Sequence, residues 1–283
     1  MEKTNFNEYV AAVNNLKQRY KRIETNNAVM SEKFKEALEI NSCWILQTQE
    51  SVFLAVLERD AFYRLYYYAT GNDGITSGLC LIDERYDKNK PLVCTVIGKE
   101  VYVESVVPAF YNEGFSLRRK TRRFNTFSGF NDDSVIRSEN TTAEFARKDE
   151  AKEIETMLLN QFDVYSEQIP TVSEIEKNAE KEMIIVIRRD DKIAAVQYIE
   201  VHNNSILYGI FDYVRPEYRR DLLFFEFRPF LQNALREKGV RIKRVYGWRD
   251  MENKKLNKVS EKLGHIPEDV VLYTVINSFG KEV

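Results

Sequence analysis

Histidine and cysteine are both scarce in this chain. It has two histidines, His202 and His265, and three cysteines, Cys43, Cys80 and Cys94, among 283 residues. Structural and catalytic zinc sites draw on clustered Cys and His ligands, so no metal site is expected. The cysteines are odd in number and form no CxxC, so no disulfide framework is expected and a reducing compartment is the simple inference. No histidine neighbours them in sequence, and their default role is that of small buried hydrophobes. Long apolar runs are missing as well. No stretch approaches the ~18 consecutive apolar residues of a membrane span, and Met1-Glu2-Lys3-Thr4-Asn5 lacks the apolar core of a secretory signal. A cytoplasmic protein with no membrane partner is therefore expected. Nor is there an excess of either charge, since 42 basic side chains stand against 44 acidic ones. No overall field favours nucleic acid or anionic lipid, and no nucleic-acid partner is expected. The one dense basic run, Leu117-Arg118-Arg119-Lys120-Thr121-Arg122-Arg123, reads either as the solvated face of a strand or loop or as a site for phosphate or an acidic partner. Walker loops, Rossmann glycine patterns, HExxH and GxSxG are all absent.

What the chain does have is the composition of a folded protein, with 43% apolar and 30% charged residues. Its length suits two domains. Phe6, Tyr9, Val10, Val13, Leu16 and Tyr20 recur at helical spacing, and Ser31 to Ile40 reads as a second helix. Three short β-branched and aromatic runs follow, at Cys43–Thr48, Ser51–Leu57 and Phe62–Tyr68, with polar breaks that predict an antiparallel meander. Core packing is the preferred reading of Tyr66-Tyr67-Tyr68, with groove lining the other. Gly71-Asn72-Asp73-Gly74 predicts a turn and Ile75–Glu84 a helix. Pro91–Gly98 reads as a buried strand, and Val101–Tyr111 as a helix that Pro108 should kink or end. Arg122–Gly129 suggests one more strand.

The polar cluster Asn131-Asp132-Asp133-Ser134 divides the chain, giving a first domain at 1–130, a linker at 131–139 and a second domain at 140–283. The second half restarts with a strand at Ala143–Arg147, a helix at Asp149–Phe162 and a helix from Thr171, which is placed to cap it. Met183–Arg188 and Ile193–Val201 form a hairpin through Arg189-Asp190-Asp191-Lys192. Then come a strand at Ser205–Val214, a helix at Asp221–Lys238 stopped by Gly239, a strand at Arg244–Trp248, a helix at Asn253–Lys262 and a last strand at Val270–Ile276. Each half has antiparallel strands, a helix, an apolar strand and a helix that ends in glycine, at Asn112-Glu113-Gly114-Phe115 and at Lys262-Leu263-Gly264-His265. Either an internal duplication or two unrelated halves with similar order would give this pattern.

Three segments of the second half carry a resemblance. Phe145-Ala146-Arg147-Lys148-Asp149-Glu150-Ala151 resembles the entry into the first helix of the GNAT superfamily of N-acyltransferases. Val214-Arg215-Pro216-Glu217-Tyr218-Arg219-Arg220 resembles the V-x-P-x-Y-R run that ends that family's fourth strand. Asn253 followed by Glu261-Lys262-Leu263-Gly264-His265 resembles the helix near its end. Together they cover about half the chain in family order. The resemblance implies an α/β (α+β) fold of two GNAT-like domains, each a mixed, mainly antiparallel sheet flanked by helices, the first a degenerate repeat.

It also implies transfer of an acyl group, most simply acetyl, from acyl-CoA or a pantetheine thioester to an amine, by a monomer or homodimer. In that family two strands splay apart, the fourth strand pairs with pantetheine, and the following loop meets the pyrophosphate at a helix N-terminus. Carried over, Tyr213, Val214, Arg219, Arg220, Leu222, Leu223 and Asn253 would hold the cofactor. The sequence departs from the pattern where Leu222 and Phe224 replace small residues and Asp221 adds negative charge. Ser260 stands where the family often has a tyrosine that protonates the leaving thiolate, and Tyr208, Tyr213 or water are the other candidates for that role. Glu200, His202, Asp212 and Tyr213 are the strand candidates for a base, with Asp212 preferred because it interrupts an apolar run. Asn253 reads equally as a helix cap. His202 reads as a surface histidine and His265 as a packing residue. A catalytically inactive binding or scaffolding protein is the other functional reading.

Overall fold

The structure, a computed structural model, describes residues 2–27, 35, 38–39, 43–86, 88–126, 142–221 and 223–280. The segment 131–139, most of the helix expected at Ser31–Ile40 and Leu222 lie outside the described residues. In chain order the elements are β1 (Glu2–Lys3), α1 (Phe6–Arg19), β2 (Glu24–Thr25), β3 (Cys43–Gln47), β4 (Ser51–Glu58) and β5 (Phe62–Ala69). Then come α2 (Asn72–Arg85), β6 (Leu92–Lys99), α3 (Glu100–Asn112), β7 (Ser116–Thr126) and β8 (Ala143–Phe145). The rest are α4 (Ala151–Gln161), α5 (Val172–Glu180), β9 (Ile184–Arg189), β10 (Lys192–His202), β11 (Ile206–Val214), α6 (Phe224–Glu237), β12 (Arg244–Asp250), α7 (Lys254–Lys262) and β13 (Ile266–Asn277). The chain forms two compact units, residues 1–121 with 269–283, and residues 122–268. No helix among the described residues is long and apolar enough to cross a membrane.

In the first unit β1, β3, β4 and β5 pair antiparallel in that order. β4 and β5 are rich in aliphatic and aromatic side chains and are buried on both faces over most of their length. β5 then pairs parallel with β6. Helix α1 starts with a reciprocal Asn5–Glu8 capping box and lays Tyr9, Val13 and Leu16 against Ile45, Leu54 and Val56. Pro108 does not end α3. The helix runs on to Asn112, and the chain turns at Gly114, whose φ of +78° suits a residue without Cβ. The last strand was expected to complete the second half. Instead residues 270–277 pair antiparallel with β6 in eight register pairs, from Val270↔Lys99 to Asn277↔Leu92. Val271 and Val275 are fully buried there, so β6 has a neighbour on both edges.

In the second unit β8, β9, β10 and β11 pair antiparallel, and β11 pairs parallel with β12. The apolar run of β9 is covered on both faces, as a strand without polar alternation requires. Ile184 and Val186 pack under α4 and α5 with Ile154 and Ile175, while Ile185 and Ile187 pack under α6 with Phe227 and Leu231. Thr171 caps α5 in a box with Glu174. The β9–β10 hairpin turns at Asp190 and Asp191, both at positive φ.

Candidate active site

Strands β11 and β12 share four register pairs, from Ile206↔Arg244 to Gly209↔Gly247. Pairing then stops, although β11 continues to Val214 and β12 to Asp250. On its other edge β11 stays paired with β10 as far as Val214↔Ala195. The strands therefore part beyond the two glycines. A bulge sits at the same place, because Tyr198 pairs with Phe211 and Ile199 with Gly209, leaving Ile210 over. Such an extra residue bends its strand and increases its twist. Among the described residues no strand pairs with the β12-facing edge of β11 beyond Gly209. That edge is a row of main-chain donors and acceptors against which an extended ligand can add.

A cavity of about 170 Å³ opens beside the parting strands, under α6. One end of its wall is polar, with Gln197, Asp212, Arg228, Arg249 and His265. The Asp212 carboxylate accepts a 2.8 Å hydrogen bond from the Gln197 amide nitrogen. His265 follows Gly264, whose φ of +83° turns the chain out of α7, and its main-chain N–H donates to the Ser260 carbonyl at 3.0 Å. Burial holds the His265 imidazole below its usual pKa of 6.5; the nearby Arg249 and Arg228 act in the same direction and Asp212 opposes them. The ring is therefore neutral at pH 7 and able to accept a proton. Arg249 is steadied by its Nε, which donates to the Ser260 hydroxyl at 3.4 Å, and by Nη1, which donates to the Trp248 carbonyl at 3.0 Å.

The residues singled out in the sequence divide among several places. Asp212 lines the cavity. Ser260 is buried outside the lining, as the acceptor that holds Arg249. Tyr213 is buried on the other face of the sheet, in the core formed with Ile154 and Leu158. Asn253 is the N-cap of α7, its side chain accepting from the Leu256 amide at 3.0 Å. The Val214 carbonyl accepts from Arg219 Nε at 3.3 Å, and the same guanidinium donates to the Gln161 side-chain oxygen at 3.1 Å. Arg220 and Asp221 are exposed. Leu223 is buried at the head of α6, which no side chain caps. Phe224 stands at the cavity rim with Phe225, their rings edge to face. Glu200 and the exposed His202 pair with each other at 3.1 Å, away from the lining, and Tyr208 stacks on Tyr246. Gln197, Arg228 and Arg249 are wall residues that sequence reasoning missed, and His265, read from the sequence as a packing residue, lines the wall as well. Val245, Gly247 and Arg249 at alternate positions of one strand were the available signal.

The first unit contains a similar parting of strands, differently furnished. β5 and β6 pair from Tyr63↔Leu92 to Leu65↔Cys94 and then stop, although β5 runs to Ala69 and β6 to Lys99. Here the last pair carries side chains, Leu65 and Cys94, both fully buried. The gap beyond it is occupied by the chain itself. β2 pairs with β5 at Glu24↔Ala69 and Thr25↔Tyr68. The Asn26 amide nitrogen donates to the Leu65 carbonyl at 2.9 Å and to Cys94 Sγ at 3.4 Å, while its oxygen accepts from the Tyr67 N–H at 2.8 Å.

No family model and no curated protein matches the sequence. Solved structures match the fold. A tandem GNAT protein from the clavulanic acid biosynthesis pathway superposes with a TM-score of 0.64 at 11% identity, covering 100% of this chain and 99% of its own. A GCN5-related N-acetyltransferase from Sphaerobacter thermophilus gives 0.58 at 12% identity over 88% and 85% of the two chains. A GNAT-family acetyltransferase from Colwellia psychrerythraea gives 0.53 at 9% identity over 97% and 98%. The chain has the tandem GNAT fold.

Proposed function

We propose that the second unit is an N-acyltransferase centre, moving an acyl group from a coenzyme A or pantetheine thioester to an amine of a small molecule or peptide. The observation that carries this reading is the open main-chain edge of β11 from Ile210 to Val214, set between the uncapped start of α6 and a cavity holding Asp212 and His265. The neighbours' fold supports the same reading.

The residues present fit such a donor. The open β11 edge can pair with pantetheine amides, and Gly209 leaves room beside it for the thioester. The first N–H groups of α6 and the guanidinium groups of Arg219 and Arg220 favour phosphate. A bound thioester supplies an electrophilic carbonyl carbon, to which the amine nitrogen bonds as the carbon–sulfur bond breaks. The neutral His265 imidazole takes the proton released from that nitrogen and returns it to the departing sulfur. Asp212, fixed by Gln197, favours the protonated ring while the proton is on it. Asn253 supports α7 as its cap.

Calorimetry with acetyl-CoA tests the reading. Binding should occur below millimolar concentration, and Arg219→Ala with Arg220→Ala should weaken it ~10- to 1,000-fold, since charged hydrogen bonds contribute ~1.5–3 kcal/mol each. No binding at millimolar coenzyme A would sink it. The second reading, a retained fold without transfer chemistry, is favoured by the glycine-free loop at Arg219–Phe224 and by Ser260 being tied to Arg249. Binding without thiol release across a panel of amines would select it.

A further inference from the structure

The cavity is lined by residues on both sides of the last β11–β12 register pair. At its waist are Gly209 and Gly247, the last register pair before the strands part. A Cβ built on Gly209 would come no nearer than 3.8 Å to the Tyr246 carbonyl oxygen and 3.9 Å to Asp212 Oδ2. Neither glycine has a positive φ. At Gly247 the nearest atom, at 2.8 Å, is Nη1 at the flexible end of Arg249. Packing therefore does not demand glycine at position 209, where the missing side chain leaves open space, while the space beside Gly247 is taken by the Arg249 guanidinium. At the corresponding last pair the first unit carries Leu65 and Cys94.

Beyond the waist the wall changes character. Ile199, Leu207 and Val245 from the sheet face Phe227 and Leu231 from α6, with no charged group among these five. A cavity of about 150 Å³ lined by Leu, Ile and Phe takes up a molecule the size of benzene, and this one measures about 170 Å³. That volume includes the polar end, so six carbons are the upper measure of what the apolar end holds. A donor lying along β11 from Val214 toward Gly209 reaches the closing strands with its acyl end, so the acyl group is what continues into the hydrocarbon region. An amine acceptor meets the other end, where Asp212 and His265 stand.

We propose that this apolar end is an acyl pocket, and that the preferred donor carries a hydrocarbon acyl group of roughly four to six carbons rather than acetyl. The proposal rests on the reading of the second unit as an acyl-CoA site. Each methylene moved from water into such a pocket should tighten binding up to ~fourfold.

The test is calorimetry on the full chain with acetyl-, butanoyl-, hexanoyl- and decanoyl-CoA. Affinity should rise ~10- to 200-fold from acetyl to hexanoyl and rise no further at decanoyl. Leu231→Trp fills the far end and should abolish the gain from butanoyl to hexanoyl. Leu231 is a core residue, so Gly209→Ala serves as the second variant, because its methyl has room in the protein and narrows only the waist. It too should reduce the chain-length gain. Equal affinity for acetyl- and hexanoyl-CoA in the wild type overturns the proposal and leaves the acyltransferase reading standing. So does a chain-length gain that both variants retain. Absence of binding by every thioester overturns both.

Discussion

His265 and Asp212 are far apart in the sequence and meet in one cavity, which makes them the residues on which the proposed chemistry turns. The direction of the His265 shift has two consequences. Its folded-state pKa lies below 6.5, so between that value and 6.5 the unfolded chain binds more protons than the folded one. Its contribution to stability is complete above pH 6.5 and is lost as pH falls through that window. The free base also persists below pH 6.5, so the acid limb of kcat/KM should lie below 6.5 in the wild type. Arg249→Gln removes a positive neighbour and should move that limb to higher pH; a limb that stays in place would separate Arg249 from the titration. His265→Gln should lower kcat ~10²- to 10⁴-fold, the usual contribution of a general base, with coenzyme A affinity retained. Ser260→Ala should instead cost only ~0.5–1.5 kcal/mol of stability, from the lost hydrogen bond to Arg249. If it abolished turnover while the chain stayed folded, the serine would be the acid after all.

Local chemistry made several elements legible. Thr171 with Glu174 is a capping box three residues apart, and Asp190-Asp191 is a hairpin turn; both stand where the sequence puts them. The Val214–Arg220 run does end the strand that parts from its neighbour. What stayed hidden depends on two segments at once. The bulge at Ile210 is a matter of register between β10 and β11, and no property of Ile210 alone announces it. Tyr213 and Asp212 are adjacent, so one faces α4 and α5 and the other the cavity, a distinction that a one-residue uncertainty in register erases. The partner of residues 270–277 is a long-range choice among several apolar strands. Asn253 had two readings, and as the N-cap of α7 it yields a clean expectation. Asn253→Ala should cost ~0.5–2 kcal/mol in chemical denaturation and leave acetyl-CoA affinity within twofold. A large loss of affinity at unchanged stability would restore its role as a ligand contact.

A chain with two partings of parallel strands invites the expectation of two coenzyme A sites, and the contents of the first argue for one. In the first unit the free edge of β5 is satisfied by β2, and Asn26 joins both sides of the gap through Leu65, Tyr67 and Cys94. A pantetheine arm would have to displace a covalently attached segment that already makes the pairing it offers. It would then meet Leu65 and Cys94 where the second unit has glycines. Calorimetry should therefore return one acyl-CoA per chain, with the Arg219→Ala, Arg220→Ala double variant weakening that single event; two sites of similar affinity would show that β2 yields to ligand. The same reasoning predicts how the chain can be cut. The polar segment at 131–139 looks like a natural division, yet the first unit includes residues 269–283. A fragment of residues 1–130 would leave β6 without its eight-pair partner and expose a long apolar edge. That fragment should aggregate or stay unfolded by circular dichroism. Joining residues 266–283 to its end through a flexible linker should recover soluble, cooperatively unfolding protein, because it restores Val271 and Val275 to the core. A soluble, cooperative 1–130 fragment would mean that the strand is dispensable and that the division at the polar segment is the physical one.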